Sequence, residues 1–238
     1  MAWAAAGAAD VWDTKPFAQW TDKELEKVVT DSPWAGRASL THARQGANLG
    51  SVPDWKLIVA VRSALPMKQA LVRGDVGVGG TLTAQHQAVL DAEEPLYLVS
   101  IGGIARSFVP QLQAVADMAT IKPKGKAAIM ATQASAMMFD KDGKPVSTSA
   151  SNAQAQIVRV AQRGGGGGGR GGDGGGAGRG VGAADTSGIT VTLVLGFPKT
   201  TPITAQDQEF EFSTVLGSYN VKRTFKLKDM MFMGALAL

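Results

Sequence analysis

The alternation of apolar and polar residues is clearest near the end of the chain, where its period is two. In "QEFEFSTVL" (208–216) and "VKRTFKLK" (221–228), large apolar residues alternate with charged or hydroxyl residues. A period of two places one set of side chains on each face of a β-strand, so the pattern predicts two antiparallel strands with one solvated face. The outer row of the first strand is acidic and that of the second is basic, and we expect these charges to pair across the hairpin. "GITVTLVLGFP" predicts a preceding strand that stops at Pro198, and "MFMGALAL" predicts a final one.

Further strands are predicted in the first two thirds of the chain. "LIVAV" (57–61) and "PLYLVSIGG" (95–103) are apolar runs typical of buried strands, and the second is expected to end at its Gly pair. The segment after Pro66 is compatible with either a helical turn or a second strand. "KAAIMATQASAMMFDKDGKPV" (126–146) predicts one or two strands, with a hairpin-type turn at Asp142-Gly143.

A helical period is best defined in "WTDKELEKVVTDSPW" (20–34). Thr21 and Glu24 form a T-x-x-E capping box, in which each side chain accepts a hydrogen bond from the other residue's backbone N–H. Ser32-Pro33 ends the helix, because the residue before proline avoids the α conformation. We expect the tryptophans of this segment to anchor the helix on a core rather than to form a ligand cage. "AQHQAVLDAEE" and "SFVPQLQAVADMA" predict further helices, and "GDVGVGGT" (74–81) predicts a loop.

These elements predict an α+β fold with a mainly antiparallel sheet, a capped N-terminal helix, and one or two further helices packed on it. Residues 10–162 and 189–238 are expected to form one domain. Residues 163–188 are expected to be a Gly-rich flexible insertion, since 14 of the 19 residues from 164 to 182 are glycine. Residues 1–9 are interpreted as a signal-peptide remnant or a disordered tail.

Composition excludes several classes of protein. The 238 residues are 45% hydrophobic and 18% charged, which is typical of a globular chain. The absence of cysteine excludes disulfides, thiolate metal sites and cysteine nucleophiles. The sequence has no apolar run of the length that a membrane helix needs, so we predict no membrane span.

The Arg/Gly tract raises the question of nucleic-acid binding. It contains Arg163, Arg170 and Arg179 but no aromatic residue. Three phosphate contacts without base stacking would give weak binding that salt abolishes. The net charge of +4 also gives no strong nucleic-acid signal. The tract is therefore interpreted as a linker, and weak RNA binding is kept as an alternative function.

Motifs for catalysis or cofactor binding are not found. His42 and His86 lack the H-E-x-x-H context of a metal site, and the sequence contains no G-x-S-x-G elbow. "GDVGVGG" has the wrong spacing for a nucleotide-binding loop, and Glu93-Glu94 beside Pro95 is interpreted as a solvated loop. We therefore assign no catalytic, cofactor-binding or metal-binding residues and predict no cofactor.

Three stretches resemble a known family. They are "VWDTKPFAQWTDKELEKVVTDSPWA", "WKLIVAVRSALPMKQAL" and "GFPKTTPITAQDQEFEFSTVLGSYNVKRTFKLKDMMFMGALAL". Together they are similar to a family of uncharacterised secreted proteins found in Acidobacteria, in which a signal peptide precedes the W-x-x-K-P-[FY] opening. The resemblance implies export and no assigned activity, and Ala6-Gly7-Ala8 matches an A-x-A cleavage pattern.

We therefore expect a non-enzymatic, exported binding or structural protein whose ligand the sequence does not specify. Its expected location is periplasmic or extracellular, and the alternative is cytoplasmic. A protein partner is left open. The alternative is a hydrolase-type enzyme with a site assembled from distant residues. A pocket in which His42 or His86 lies within hydrogen-bond reach of a carboxylate and a nucleophile would favour it.

Overall fold

Two five-stranded antiparallel sheets form the framework of the protein in a computed structural model that describes residues 10–44, 50–140 and 189–238. The first sheet has the strand order β1 (Ala35–Arg37), β3 (Ile58–Val61), β4 (Leu96–Ala105), β8 (Thr190–Pro198), β7 (Gln133–Phe139). The second has the order β2 (Ser39–His42), β10 (Tyr219–Lys226), β9 (Glu209–Leu216), β5 (Thr120–Pro123), β6 (Ile129–Met130). A separate small hairpin pairs β11 (Met231–Phe232) with β12 (Ala235–Leu236).

Continuous backbone connects the two sheets at both lateral edges. Ala38 alone separates β1 from β2, and its N–H donates to the carbonyl of Leu57 at 2.9 Å. On the other side, Ala131 and Thr132 separate β6 from β7. The N–H of Ala131 donates to Ala119, directly before β5 of the second sheet, and that of Thr132 donates to Gly196 in β8 of the first sheet. The edge strands therefore turn from one sheet into the other, which keeps the inner faces of the two sheets opposed.

The main core lies between these inner faces. Phe197 of β8 and Phe212 of β9 meet edge to face with ring centroids 6.3 Å apart, and Phe210 stacks on Phe225 at 4.9 Å. The remaining buried strand residues belong to the same apolar cluster, among them Val59, Val61, Val99, Ile101, Ile121, Leu193, Leu195 and Val221. Burial of this apolar surface is the dominant stabilising contribution.

Five α-helices surround the sheets within the described residues. They are α1 (Val11–Thr14), α2 (Asp22–Thr30), α3 (Leu65–Val76), α4 (Ala84–Asp91) and α5 (Leu112–Asp117). Short 3₁₀ turns lie at Phe17–Gln19, Arg106–Gln111, Ala205–Asp207 and Leu227–Asp229. The α+β class and its antiparallel sheets are confirmed, with more helices than the sequence predicted.

The predicted start of α2 is confirmed in detail. The Thr21 hydroxyl accepts from the N–H of Glu24, and the Glu24 carboxylate accepts from the N–H of Thr21 at 2.7 Å. Lys15 donates to the same carboxylate at 2.8 Å. Trp20 and Trp34, which flank the helix, are fully buried, so they anchor it on the core as expected.

The Glu24 network predicts a measurable pH dependence. The hydrogen bond from Lys15, followed by those from the backbone and hydroxyl of Thr21, lowers the pKa of Glu24 from 4.5 to about 2. A carboxyl with a lowered folded-state pKa stabilises the protein above its ordinary pKa, and this contribution is lost as the pH falls through the lowered value. The difference in melting temperature between the wild type and Glu24→Gln should therefore be present at neutral pH and shrink from about pH 4.5 towards pH 2.

Glu26→Gln is the matched control for this prediction, since Glu26 is an exposed residue of the same helix. It should show no comparable shrinkage in thermal denaturation followed by circular dichroism. A Glu24→Gln difference that stays constant over the whole range would contradict the role of the ionised carboxylate.

The strands β9 and β10 form the predicted hairpin, and the burial of β9 alternates residue by residue. The predicted charge pairing across the hairpin is confirmed for Lys222 and Glu211, which lie 3.1 Å apart; the pair is diagonal because Lys222 lies directly opposite Ser213. Arg223 departs from the simple alternation of β10. It lies opposite Phe212 and so belongs to the inward row of β10, between Val221 and Phe225.

Arg223 fits this inward position because it lies where β1 turns into β2. Its guanidinium packs under Gly36, where a Cβ atom would lie only 2.4 Å from Nη2, and it donates to the carbonyl of Arg37 at 3.2 Å. The Nε atom is buried and has no hydrogen-bond partner among the described residues. Burial lowers the pKa of Arg223, while the charge of Asp31 opposes this shift.

The structure corrects two predicted boundaries and decides one open alternative. The segment after Pro66, predicted as a helical turn or a strand, is part of the twelve-residue helix α3, because proline is well tolerated in the first turn. The loop predicted from residue 74 therefore begins only at Gly77. The strand predicted to end at the Gly pair continues to Ala105 and bulges between Ile101 and Ile104. Gly103 makes this possible with a φ of +80°, and a Cβ there would lie 2.7 Å from the Lys56 carbonyl oxygen.

The end of the chain, predicted as one strand, is instead the β11–β12 hairpin. It turns at Met233 and Gly234, which have φ values of 50° and 80°, the left-handed conformation that two-residue hairpin loops require. Trp34 holds this hairpin on the core: its indole N–H donates to the carbonyl of Ala237 at 3.0 Å, and its ring meets Phe232 edge to face.

Strands β7 and β8 are neighbours, although 50 residues separate them in sequence. They pair in continuous register from Gln133 opposite Gly196 to Phe139 opposite Thr190. The predictions for residues 1–9, for the turn at Asp142-Gly143 and for the insertion at 163–188 lie outside the described residues.

Candidate functional site

A cavity of about 580 Å³ opens at the end of the first sheet where β3 and β8 finish and β4 begins. Helix α3 contributes one wall, and the loop that follows α4 contributes a second wall. The β11–β12 hairpin and the residues after it close the third side. The cavity is thus assembled from four separate parts of the chain.

Lys68, in the first half of α3, is the most buried charged residue of this cavity, with 6% of its surface exposed. Its ammonium group donates to the carbonyl of Ala92, the residue that ends α4. The last carbonyls of a helix lack partners within the helix, and a cation there is favoured by the helix dipole. Glu94 lies 3.5 Å from the same ammonium.

Lys199 immediately follows β8 and is half-buried. Its ammonium lies 5.0 Å from the centre of the Tyr97 ring, a cation–π arrangement. The Tyr97 hydroxyl accepts from the N–H of Ile203 at 2.8 Å, which fixes the ring under the lysine. Within residues 10–44, 50–140 and 189–238, no carboxylate lies within 4.0 Å of the Lys199 ammonium.

Ser63 adds a third polar group to the cavity wall. It is 6% exposed, and its hydroxyl oxygen accepts from the N–H of Leu98 at 3.2 Å. The hydroxyl hydrogen is left to donate elsewhere. The rest of the lining is mainly apolar and includes Leu65, Leu90, Phe232, Leu236 and Leu238. This arrangement of a few donors against an apolar wall is typical of small-molecule sites.

A smaller cavity of about 310 Å³ lies on the other side of the same hairpin. It shares Phe232 and Met233 with the first cavity, and α1 and the turn after it supply the opposite wall. Lys15 lines this smaller cavity, and its ammonium already donates a hydrogen bond to the Glu24 carboxylate. The larger cavity is therefore the candidate functional site.

The two histidines lie outside both cavities. The Nδ1 atom of His86 accepts from the N–H of Thr83 at 3.2 Å, and its Nε2 donates to Asp75 at 2.8 Å. His86 thus completes the capping box at the start of α4 and connects α4 to α3 through its hydrogen bond to Asp75. The Nε2 of His42 lies 2.8 Å from the carbonyl of Gly50.

A hydrolase site would need a pocket in which a histidine lies within hydrogen-bond reach of both a carboxylate and a nucleophile. The surroundings of His86 supply only the carboxylate. A carboxylate is within reach, but both ring nitrogens are occupied, and the Thr83 hydroxyl accepts from the His86 backbone N–H rather than facing the ring. In the described part of the chain, no group of three or more His, Cys, Asp or Glu side chains is placed to hold a metal ion. No helix among the described residues is long and apolar enough to cross a membrane.

The sequence did not predict this site. Glu93-Glu94 was interpreted as a solvated loop; Glu93 is exposed, but Glu94 is half-buried and faces Lys68. Lys68 stands in the apolar run "LPMKQALV", the one local signal of a buried lysine. No pattern around Lys199 distinguishes it from an ordinary lysine after a strand.

Comparison with known proteins finds no matching family model, no matching curated protein and no matching solved structure. The resemblance to the acidobacterial family therefore stays a prediction that rests on the three stretches quoted above.

Proposed function

We propose that the protein is a non-enzymatic, exported binding protein that takes up a small amphipathic molecule in the 580 Å³ cavity. The observation that carries this proposal is the combination of size and lining. The volume falls within the range of about 300–1,000 Å³ that is common for ligand sites. Apolar side chains dominate the lining, and Ser63, Lys68 and Lys199 supply hydrogen-bond donors.

Binding is preferred over catalysis because the groups that chemistry would need are used elsewhere. Both ring nitrogens of His86 and the Nε2 of His42 have structural partners. Within the cavity, Glu94 lies beside Lys68, and no hydrogen bond among the described residues joins the Ser63 hydroxyl to a base that could activate it. The residues are thus suited to hold a molecule rather than to transform it.

The exported location is supported by the A-x-A pattern at residues 6–8 and by the family resemblance. Fractionation of cells that make the protein from its native gene tests this part of the proposal. Recovery outside the cytosol is the expected result, and recovery in the cytosol alone would contradict it.

Binding in the cavity is tested with Nile red, an uncharged dye whose fluorescence rises in apolar surroundings. We expect the wild type to enhance its fluorescence and Ala235→Trp to reduce that enhancement at least fivefold, because the indole would occupy the cavity. Ala235 is exposed, so the larger side chain need not enter the core.

Ala128→Trp, at an exposed position of the second sheet's β5–β6 connection, is the matched control and should bind like the wild type. Circular dichroism and melting temperature show whether each variant is folded. Equal dye binding by the wild type and a folded Ala235→Trp variant would show that the cavity is not the site.

A further inference from the structure

We infer that the ligand of this cavity carries an anionic group, a carboxylate or a phosphate ester, which binds to the ammonium group of Lys199, and an apolar chain that lies against the hairpin. This inference rests on the proposed function and specifies the class of ligand. It concerns the one cation of the cavity that lacks a carboxylate partner among the described residues.

The surroundings of Lys199 are suited to an anion. Lys199 is half-buried and its ammonium lies over the Tyr97 ring, so the ring covers one side of the ammonium while no carboxylate of the described residues lies within 4.0 Å of it. A partly desolvated charge is stabilised by an opposite charge that also forms hydrogen bonds. An ammonium group has three donors, and among the described residues none of those of Lys199 is hydrogen-bonded to the protein.

Lys68 and Ser63 supply further donors on the same cavity wall. The carbonyl of Ala92 takes one donor of Lys68, and the 3.5 Å separation from Glu94 is longer than a normal charge-assisted hydrogen bond. The hydroxyl hydrogen of Ser63 also has no acceptor among the described residues, where its oxygen accepts from the N–H of Leu98. An anion with two or three oxygens can use several of these donors at once.

The acidic residues of the cavity do not offer an equivalent place for a cation. Glu94 lies beside Lys68, which offsets its charge. Glu93 is exposed at the rim, where water and salt screen its interactions. Among the side chains that line the cavity, the least compensated charge is therefore positive.

The apolar wall determines the other end of the ligand. Leu65 and Leu90 lie on the helical side, and Phe232 and Leu236 lie on the hairpin side. A flexible hydrocarbon chain can cover such a wall without further polar contacts. Medium-chain alkyl anions are thus the simplest probes of this class.

The test measures displacement of Nile red by octanoate, octyl phosphate, octanol and octylamine, which share an alkyl chain and differ in head group. We expect at least one anion to displace the dye at a roughly tenfold lower concentration than octanol, about the effect of one charge-assisted hydrogen bond. Lys199→Met should abolish this advantage and leave octanol unchanged. Lys226→Met, which removes an exposed lysine from β10, should change neither.

The outcomes separate the inference from the proposed function. If octanol or octylamine displaces the dye as well as both anions do, the anionic class is wrong and the binding function stands. If the anions are preferred equally by the wild type and by Lys199→Met, the assignment to Lys199 is overturned. If Nile red does not bind at all, and none of the four compounds changes the melting temperature, the proposed function fails as well.

Discussion

Trp34→Ala is expected to lower the free energy of unfolding by about 3–5 kcal/mol, the range for loss of a large buried aromatic side chain. Trp34 is fully buried and contacts two other aromatic rings, Trp12 at 5.6 Å and Phe232 at 6.2 Å between centroids. Its indole N–H also holds the carbonyl of Ala237. The substitution would leave a void where α1, the β1 corner and the terminal hairpin meet. Urea denaturation measures the change.

Trp34→Phe separates packing from the hydrogen bond. It retains a ring but removes the N–H donor, so we expect a smaller loss, together with faster amide hydrogen exchange in the hairpin. The N–H of Ala237, which donates to Met230 at 3.1 Å, is a suitable reporter. A loss below about 1 kcal/mol for Trp34→Ala would show that this cluster is not central to stability.

Asp207→Ala is expected to cost about 2–3 kcal/mol, because it removes the acceptor of a buried network. One oxygen of Asp207 accepts from the backbone N–H of Thr204 at 2.7 Å and from Lys126 at 2.8 Å. Only 7% of Asp207 is exposed. The loss should fall below that of a fully buried ion pair, since Lys126 is 31% exposed and also donates to the carbonyl of Pro202.

The Asp207 network also predicts an effect of pH. Burial alone would raise the pKa of Asp207, but the hydrogen bonds from Lys126 and Thr204 outweigh burial and lower it below 3.8. Its stabilising contribution is therefore complete above about pH 4 and is lost as the pH falls through the lowered pKa. The free energy of unfolding should consequently fall less steeply in acid for Asp207→Ala than for the wild type.

Asp229→Ala is the control for both measurements, because Asp229 is an exposed residue in a comparable 3₁₀ turn. It should change stability by less than about 0.5 kcal/mol. If Asp207→Ala is as stable as this control at neutral pH, the network does not stabilise the two loops that it connects.

The sequence predicted those features of the fold that local physics determines. The capping box at Thr21 and Glu24 lies within one helical turn, and the alternation in β9 reflects a strand with one buried face. Both signals are contained in a few neighbouring residues. For the same reason, the α+β class and the antiparallel pairing of the last long strands could be predicted.

Features that depend on distant parts of the chain could not be predicted in this way. Arg223 breaks the alternation of β10 because Gly36, far away in sequence, leaves room for its guanidinium at the corner between the sheets. The Gly pair in β4 permits a bulge rather than an end, because the neighbouring strand continues alongside it. The last residues fold back as a hairpin where Trp34 offers a hydrogen bond and a ring face.

The candidate site could not be predicted from the sequence either, because its residues are distant from one another along the chain. Ser63 and Lys68, Glu94, and Lys199 come from three separate segments that the ends of three strands bring together. None of them has a partner at a motif spacing. The environment that distinguishes Lys199, a half-buried residue whose ammonium lies over a tyrosine ring, exists only once the first sheet has formed.

The side-by-side placement of β7 and β8 has a consequence for protein engineering. Phe139 and Thr190 already lie opposite each other, so a tight turn of a few residues is long enough to join them. Shorter flexible connections cost less closure entropy, by about 0.6 kcal/mol for each halving of their length. The same junction is a natural point for grafting a reporter domain, because both ends of the graft would emerge from adjacent strand tips.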